Sequence, residues 1–97
     1  MDINEISGFL DEKGRVKQMP SKHAKRLQVL SYLAEKFDFD HDYTEKEVNN
    51  IISEWHTFED FFLIRRELIE SRLLFRTPNG ARYWKKHNEN IDNKGEK

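Results

Sequence analysis

Leu73-Leu74-Phe75-Arg76-Thr77-Pro78-Asn79-Gly80-Ala81-Arg82-Tyr83-Trp84-Lys85 is the stretch that decides the fold. Residues 73–77 and 81–85 have the aliphatic and aromatic content of two strands, and Pro78-Asn79-Gly80 separates them. Proline presets φ for a turn, and Asn-Gly tolerates the positive φ that closes a hairpin. Side chains alternate across a strand, so one of Tyr83 and Trp84 must face inward and the other outward. The hairpin carries Arg76, Arg82, Lys85 and Lys86 with no acid among them.

Upstream of the hairpin the pattern changes to helix. Thr44-Glu45-Lys46-Glu47 is a capping box, in which the threonine oxygen accepts the N3 amide and the glutamate reaches back to the cap amide. Val48, Ile51, Ile52 and Trp55 follow at i, i+3, i+4 and i+7, one apolar stripe over two turns. Thr57 and Asp60 offer a second cap, and Phe58, Phe61, Ile64, Leu68 and Ile69 form another amphipathic run to about Arg72. The join admits only a tight helix-turn-helix. Farther upstream, Ser21 after Pro20 is placed to cap a helix over about 22–37, with Ala24, Leu27, Leu30, Leu33 or Ala34, and Phe37 at helical spacing. Between the first two helices Phe37-Asp38-Phe39-Asp40-His41-Asp42-Tyr43 has no helical stripe, and its tyrosine predicts a one-rung strand beside the hairpin. Near the start, Asp11-Glu12-Lys13-Gly14 reads as a turn between Phe9-Leu10 and Val16, giving a short hairpin or a single strand over 15–18.

Helix, short strand, helix, turn, helix and basic hairpin, in that order, define an α+β winged helix-turn-helix: three helices, a C-terminal β-hairpin wing and room for one extra N-terminal strand. Ninety-seven residues suit one core, here assigned to residues 1–86 with 87–97 as a flexible tail. Leu27, Leu30, Leu33, Val48, Ile51, Ile52, Phe61, Ile64, Leu68 and one of Tyr83 or Trp84 are the expected core. At 36% hydrophobic and 36% charged, with 12% aromatic, the chain is charged but too rich in large apolar residues for disorder. It has no cysteine, which excludes a disulfide framework, a thiolate zinc site and a cysteine nucleophile. No basic-then-apolar leader and no run long enough to span a bilayer are present, so the expected location is the cytoplasm, with no membrane partner.

A net charge of −1 conceals strong segregation. Residues 1–12 hold four acids and no base, while 13–26 hold Lys13, Arg15, Lys17, Lys22, Lys25 and Arg26 and no acid. Residues 27–71 are acidic by seven charges, and 72–87 hold Arg72, Arg76, Arg82, Lys85 and Lys86 and no acid. Two basic stretches thus bracket an acidic middle. If strand 15–18 adds to the edge of the hairpin, Arg15 and Lys17 come beside Arg76 and Arg82, with Lys22 and Lys25 adjoining. One face would then follow a phosphate backbone, with affinity set by counterion release. The plainer reading of these bases is solubility. Lys22, Lys25 and Arg26 occupy the first turns of a helix, where the macrodipole disfavours cations by roughly 0.3–1 kcal/mol each when exposed. Either an acid from the N-terminal segment or a bound phosphate would offset that.

Arg65 and Arg66 lie on the helix that would enter a major groove, where arginine reads guanine bidentately. Glu59, Asp60, Glu67 and Glu70 share that helix, so Arg66 has two open roles: base contact or an i,i+4 pair with Glu70. Arg65, four after Phe61 and three before Leu68, is better suited to structural pairing. Asp38-x-Asp40-x-Asp42 has the alternation of a calcium loop, but Tyr43 stands at the position needing glycine and Asn49 at that of the bidentate glutamate. A solvated acidic loop is the better account. His23, His41, His56 and His87 have no metal-ligand spacing, and no G-x-S-x-G, P-loop or G-x-G-x-x-G occurs. The domain is therefore expected to be non-enzymatic, with no cofactor and no metal.

Gly14 to Pro20, Lys25-Arg26 before Val29-Leu30, Tyr43 to Asn49, Ile64-Arg65-Arg66-Glu67-Leu68, and Phe75-Arg76 with Gly80, Tyr83 and Trp84 form a recognisable set. The stretch from Phe9 to Lys85 that contains them resembles a prokaryotic family of unknown function, found alone or at the C-terminal end of predicted bacterial transcriptional regulators. The resemblance implies a regulatory association and supplies no ligand or active site. The resulting expectation is a regulatory domain that contacts double-stranded DNA through Arg15, Lys17, Lys22, Lys25, Arg66, Arg76, Arg82, Lys85 and Lys86. The alternative is a protein-interaction module on the same fold, docking a partner or a second copy through its acidic middle and exposed aromatics.

Overall fold

The computed structural model describes residues 6–57 and 60–85. Its elements are α1 (His23–Ala34), β1 (Asp42–Tyr43), α2 (Glu45–Glu54), α3 (Phe61–Glu70), β2 (Phe75–Arg76) and β3 (Tyr83–Trp84), with a 3-10 turn at Ser7–Phe9 ahead of them. The three strands form an antiparallel sheet ordered β1-β3-β2, with Tyr43 opposite Tyr83 and Phe75 opposite Trp84. The strand between the first two helices thus returns to the C-terminal hairpin, and the fold is a winged helix-turn-helix. The tail at 87–97 and Lys86 lie outside the described residues.

Local chemistry accounts for each boundary. The capping box of α2 forms in full: Glu47 N donates to Thr44 Oγ1 at 3.1 Å, and Thr44 N donates to Glu47 Oε1 at 2.8 Å. Asp60 caps α3 by accepting from Leu63 N at 3.2 Å. Ser21 does not cap α1; that position is taken by Lys22, which makes no side-chain cap bond. The helix is also shorter than expected, ending at Ala34 before a turn in which Phe37 folds back into the core. In the hairpin, Gly80 sits at φ +73°, and Thr77 N donates to the Arg82 carbonyl.

The core joins all these elements. Leu30, Leu33, Val48, Ile52, Ile64, Leu68 and Tyr83 are buried as expected, and Leu27, Ile51 and Phe61 pack partly buried against them. Ile6, Leu10, Val16, Val29, Tyr32, Phe37, Tyr43 and Leu74 complete it. Tyr83 is the inward member of its pair, while Trp84 stacks on Phe75 with ring centroids 6.2 Å apart.

The N-terminal strand overturns one expectation. Val16 pairs with Leu10 in an antiparallel bridge and with His56 in a parallel one, so the short hairpin exists but does not add to the wing. Val16 N donates to the Trp55 carbonyl at 2.8 Å and its own carbonyl accepts from Thr57 N at 2.9 Å. Alternation marks a strand without saying which edge receives it, and here the connection leaving α2 supplies the partner. Arg15 and Lys17 are consequently not set beside Arg76 and Arg82.

Candidate nucleic-acid interface

The helix-turn-helix places α3 and the hairpin so that they line one groove. It has a volume of about 500 Å³ and is walled by Phe62, Arg65, Arg66, Ile69, Glu70, Arg76 and Tyr83. The α3 members fall at 62, 65, 66, 69 and 70, a second stripe on the side away from buried Ile64 and Leu68. Three guanidinium groups face one carboxylate there.

The three arginines differ in freedom. Arg65 is held, its Nη1 donating to Asn49 Oδ1 at 2.6 Å and to Glu45 Oε2 at 3.1 Å, and only 16% of its side chain is exposed. It ties α3 to the start of α2, the structural role its position between Phe61 and Leu68 predicts. Arg66 is 69% exposed and lies 3.9 Å from Glu70, itself two-thirds exposed. An exposed pair at that separation contributes about 0–1 kcal/mol and is screened by salt. Arg76 is exposed, and its bond among the described residues is a long one of 3.4 Å from Nη2 to the Pro78 carbonyl.

The other predicted contacts lie apart from this groove. Arg82 turns to the β1 edge and donates to Asp42 Oδ2 at 2.9 Å. The Lys85 ammonium rests 4.3 Å from the centre of the Phe39 ring. Arg15 is paired with Asp11 at 2.9 Å on the N-terminal hairpin, where Lys17 is exposed. Hydrogen bonding from the Arg15 amide, reinforced by its side chain and the Lys13 amide, holds the Asp11 carboxyl below the usual carboxylate range despite desolvation. Lys22 is exposed at the start of α1 and Lys25 is half-buried one turn on.

The charge at the start of α1 is offset by a residue outside the two alternatives considered above. Arg26 donates to both oxygens of Glu67 on α3, at 2.9 and 2.6 Å, and to the Pro20 carbonyl at 2.9 Å. A planar guanidinium matches a carboxylate in this two-point geometry, so the pair fixes α1 against α3. The acidic loop is also put to structural use: Asp38 N donates to the Tyr43 hydroxyl, and Asp40 adopts a left-handed φ of 59°. Among the described residues no group of three His, Asp or Glu is placed to hold a metal. His56 is buried, with Nδ1 donating to the Ile52 carbonyl.

Phe62 is the residue the helical pattern passes over. It is 62% exposed beside half-buried Ile69, and the spacing of 62, 66 and 69 is the signal that marks an outward stripe.

A family model described as "uncharacterized protein conserved in bacteria" (DUF2087) matches residues 15–85, and the chain belongs to that family. No curated protein and no solved structure matches it. No helix among the described residues is long and apolar enough to cross a membrane.

Proposed function

We propose that this member of the bacterial family is a non-catalytic, DNA-binding regulatory domain that grips duplex DNA in the cytoplasm through α3 and the wing. The observation that carries the reading is the shared groove, where Arg66 and Arg76 are exposed, weakly engaged and on adjoining elements. The second helix of a helix-turn-helix is the one that enters the major groove, while a wing contacts the backbone beside it. A phosphate or base edge competes easily with the long Arg66–Glu70 contact, whereas Arg65 stays in its network and fixes the helix. Arg82 and Lys85, on the β1 side of the wing and apart from the groove, serve as further phosphate contacts once each gives up an exposed partner. Lys22 and Lys25 fit a more distant contact.

A second reading is favoured by the neutralisation of Arg15, Arg26 and Arg82 by the chain's own acids. That pattern suits a protein-interaction module better than a uniformly basic face.

Titrating salt in a fluorescence-anisotropy assay with a labelled duplex separates the two. The wild-type chain should bind at low salt, with log affinity falling linearly in log salt. Arg76→Ala should flatten that slope by about 0.9, the loss of one phosphate contact. An absence of binding at low salt would overturn the DNA reading and leave the interaction module.

A further inference from the structure

We propose that Phe62 is the residue through which α3 reads base sequence, by seating its ring on the C5-methyl groups of thymine in the major groove. The inference rests on the duplex-DNA reading above and adds a specificity that phosphate contacts cannot supply.

Phe62 stands at the second position of α3, and the N-terminal residues of a recognition helix are the ones that meet base edges. Its 62% exposure exceeds that of Phe39, at 43%, the other large apolar side chain exposed among the described residues. Among the described residues the inward stripe of α3 is filled by Ile64 and Leu68 at 0% exposure, and Phe62 lies on the opposite side.

The ring is also held in place. Its centroid lies 4.5 Å from that of Phe61, and the Arg65 guanidinium carbon sits 5.2 Å from it. Arg65 is in turn pinned to Glu45 and Asn49 on α2. Docking therefore loses little rotamer freedom, the condition under which a small apolar contact contributes net affinity.

The chemistry selects the target. A phenyl ring has no hydrogen-bonding atom, so it cannot read the nitrogen and oxygen atoms of a base edge. The apolar group displayed in the major groove is the thymine methyl, for which phenylalanine is a known kind of contact. Arg66, one turn along, meets a guanine edge or phosphate beside it.

The test compares thymidine with deoxyuridine, which differ only by that methyl. Duplexes enriched by the full chain from a random-sequence library are resynthesised with uracil at each thymine in turn, and affinities are measured by anisotropy. Wild type should lose about fourfold at the contacted thymine, the worth of one buried methyl-sized group. Phe62→Ala should bind the two duplexes equally and keep the wild-type salt slope, with circular dichroism confirming its fold. Equal wild-type affinity for both duplexes, or discrimination that survives in Phe62→Ala, would overturn the inference while leaving DNA binding intact. Loss of self-association in Phe62→Ala by light scattering, without change in DNA affinity, would overturn it in favour of a contact between copies. If no duplex binds at all, both this inference and the reading beneath it fail.

Discussion

Arg72 adopts φ +63° at the end of α3, a left-handed conformation that L residues with a Cβ reach at a cost of roughly 1–2 kcal/mol. Arg72 N donates to the Ile69 carbonyl at 3.0 Å and Leu73 N to that of Leu68 at 3.0 Å, the two bonds of a Schellman stop. The motif turns the chain so that Leu74 enters the core at 1% exposure. Arg72→Gly should therefore raise stability by about 0.5–1 kcal/mol, the strain relieved less the entropy glycine adds to the unfolded chain, read from urea denaturation. Gly14 presents the converse case, with φ +81° and a position where a Cβ would come 3.0 Å from the Tyr32 hydroxyl. That hydroxyl donates to the Gly14 carbonyl at 2.6 Å, so Gly14→Ala should strain the turn and its anchor together and cost about 1–2 kcal/mol. At Asp11 the folded-state pKa lies below that of the unfolded chain, so its stabilisation is fully present above about pH 4 and lost as pH falls through the folded value. Asp11→Asn should narrow the difference between melts recorded near pH 7 and near pH 3; an unchanged difference would show that other carboxylates govern the acid limb.

At the scale of elements, stability rests on α3, which packs on both other helices and carries the groove on its far side. Truncating Ile64 to Ala should cost about 2–5 kcal/mol, because it is fully buried between them; a loss under half a unit would contradict the assigned packing. The elements most legible in the sequence are those with local signals. The Thr44 capping box, the Asp60 cap, the Asn79-Gly80 turn and the stripes of α2 and α3 depend only on nearby residues. The partner of strand 15–18 is not of that kind, since Val16 is paired with His56 across forty positions and no periodicity encodes that choice. The Arg26–Glu67 pair is equally non-local: charge counting finds the excess at the start of α1 without naming the helix that neutralises it. Of the candidate site, Arg66 and Arg76 are legible as bases on α3 and the hairpin. Phe62 is legible only as a member of the outward stripe at 62, 66 and 69, because helical spacing gives its side of α3 and not what an exposed ring there meets.

For the whole molecule the arrangement of charge matters more than its sum. Folding does not merge the two basic stretches through the N-terminal strand; it pairs Arg15, Arg26 and Arg82 with acids and leaves Arg66 and Arg76 loosely engaged in one groove. The chain belongs to an uncharacterized bacterial family, and the groove carries the proposed role. Under that proposal the acids elsewhere oppose indiscriminate coating of nucleic acid and favour approach by one face. The most direct measurement is a backbone amide NMR titration of the full chain with duplex DNA at low salt. DNA binding through α3 and the wing predicts shifts concentrated at Phe62, Arg65, Arg66, Ile69 and the hairpin from Phe75 to Tyr83, with the amides of Arg15 and Lys17 little changed. Shifts confined to the N-terminal hairpin and the start of α1, or no shifts at all, would contradict it.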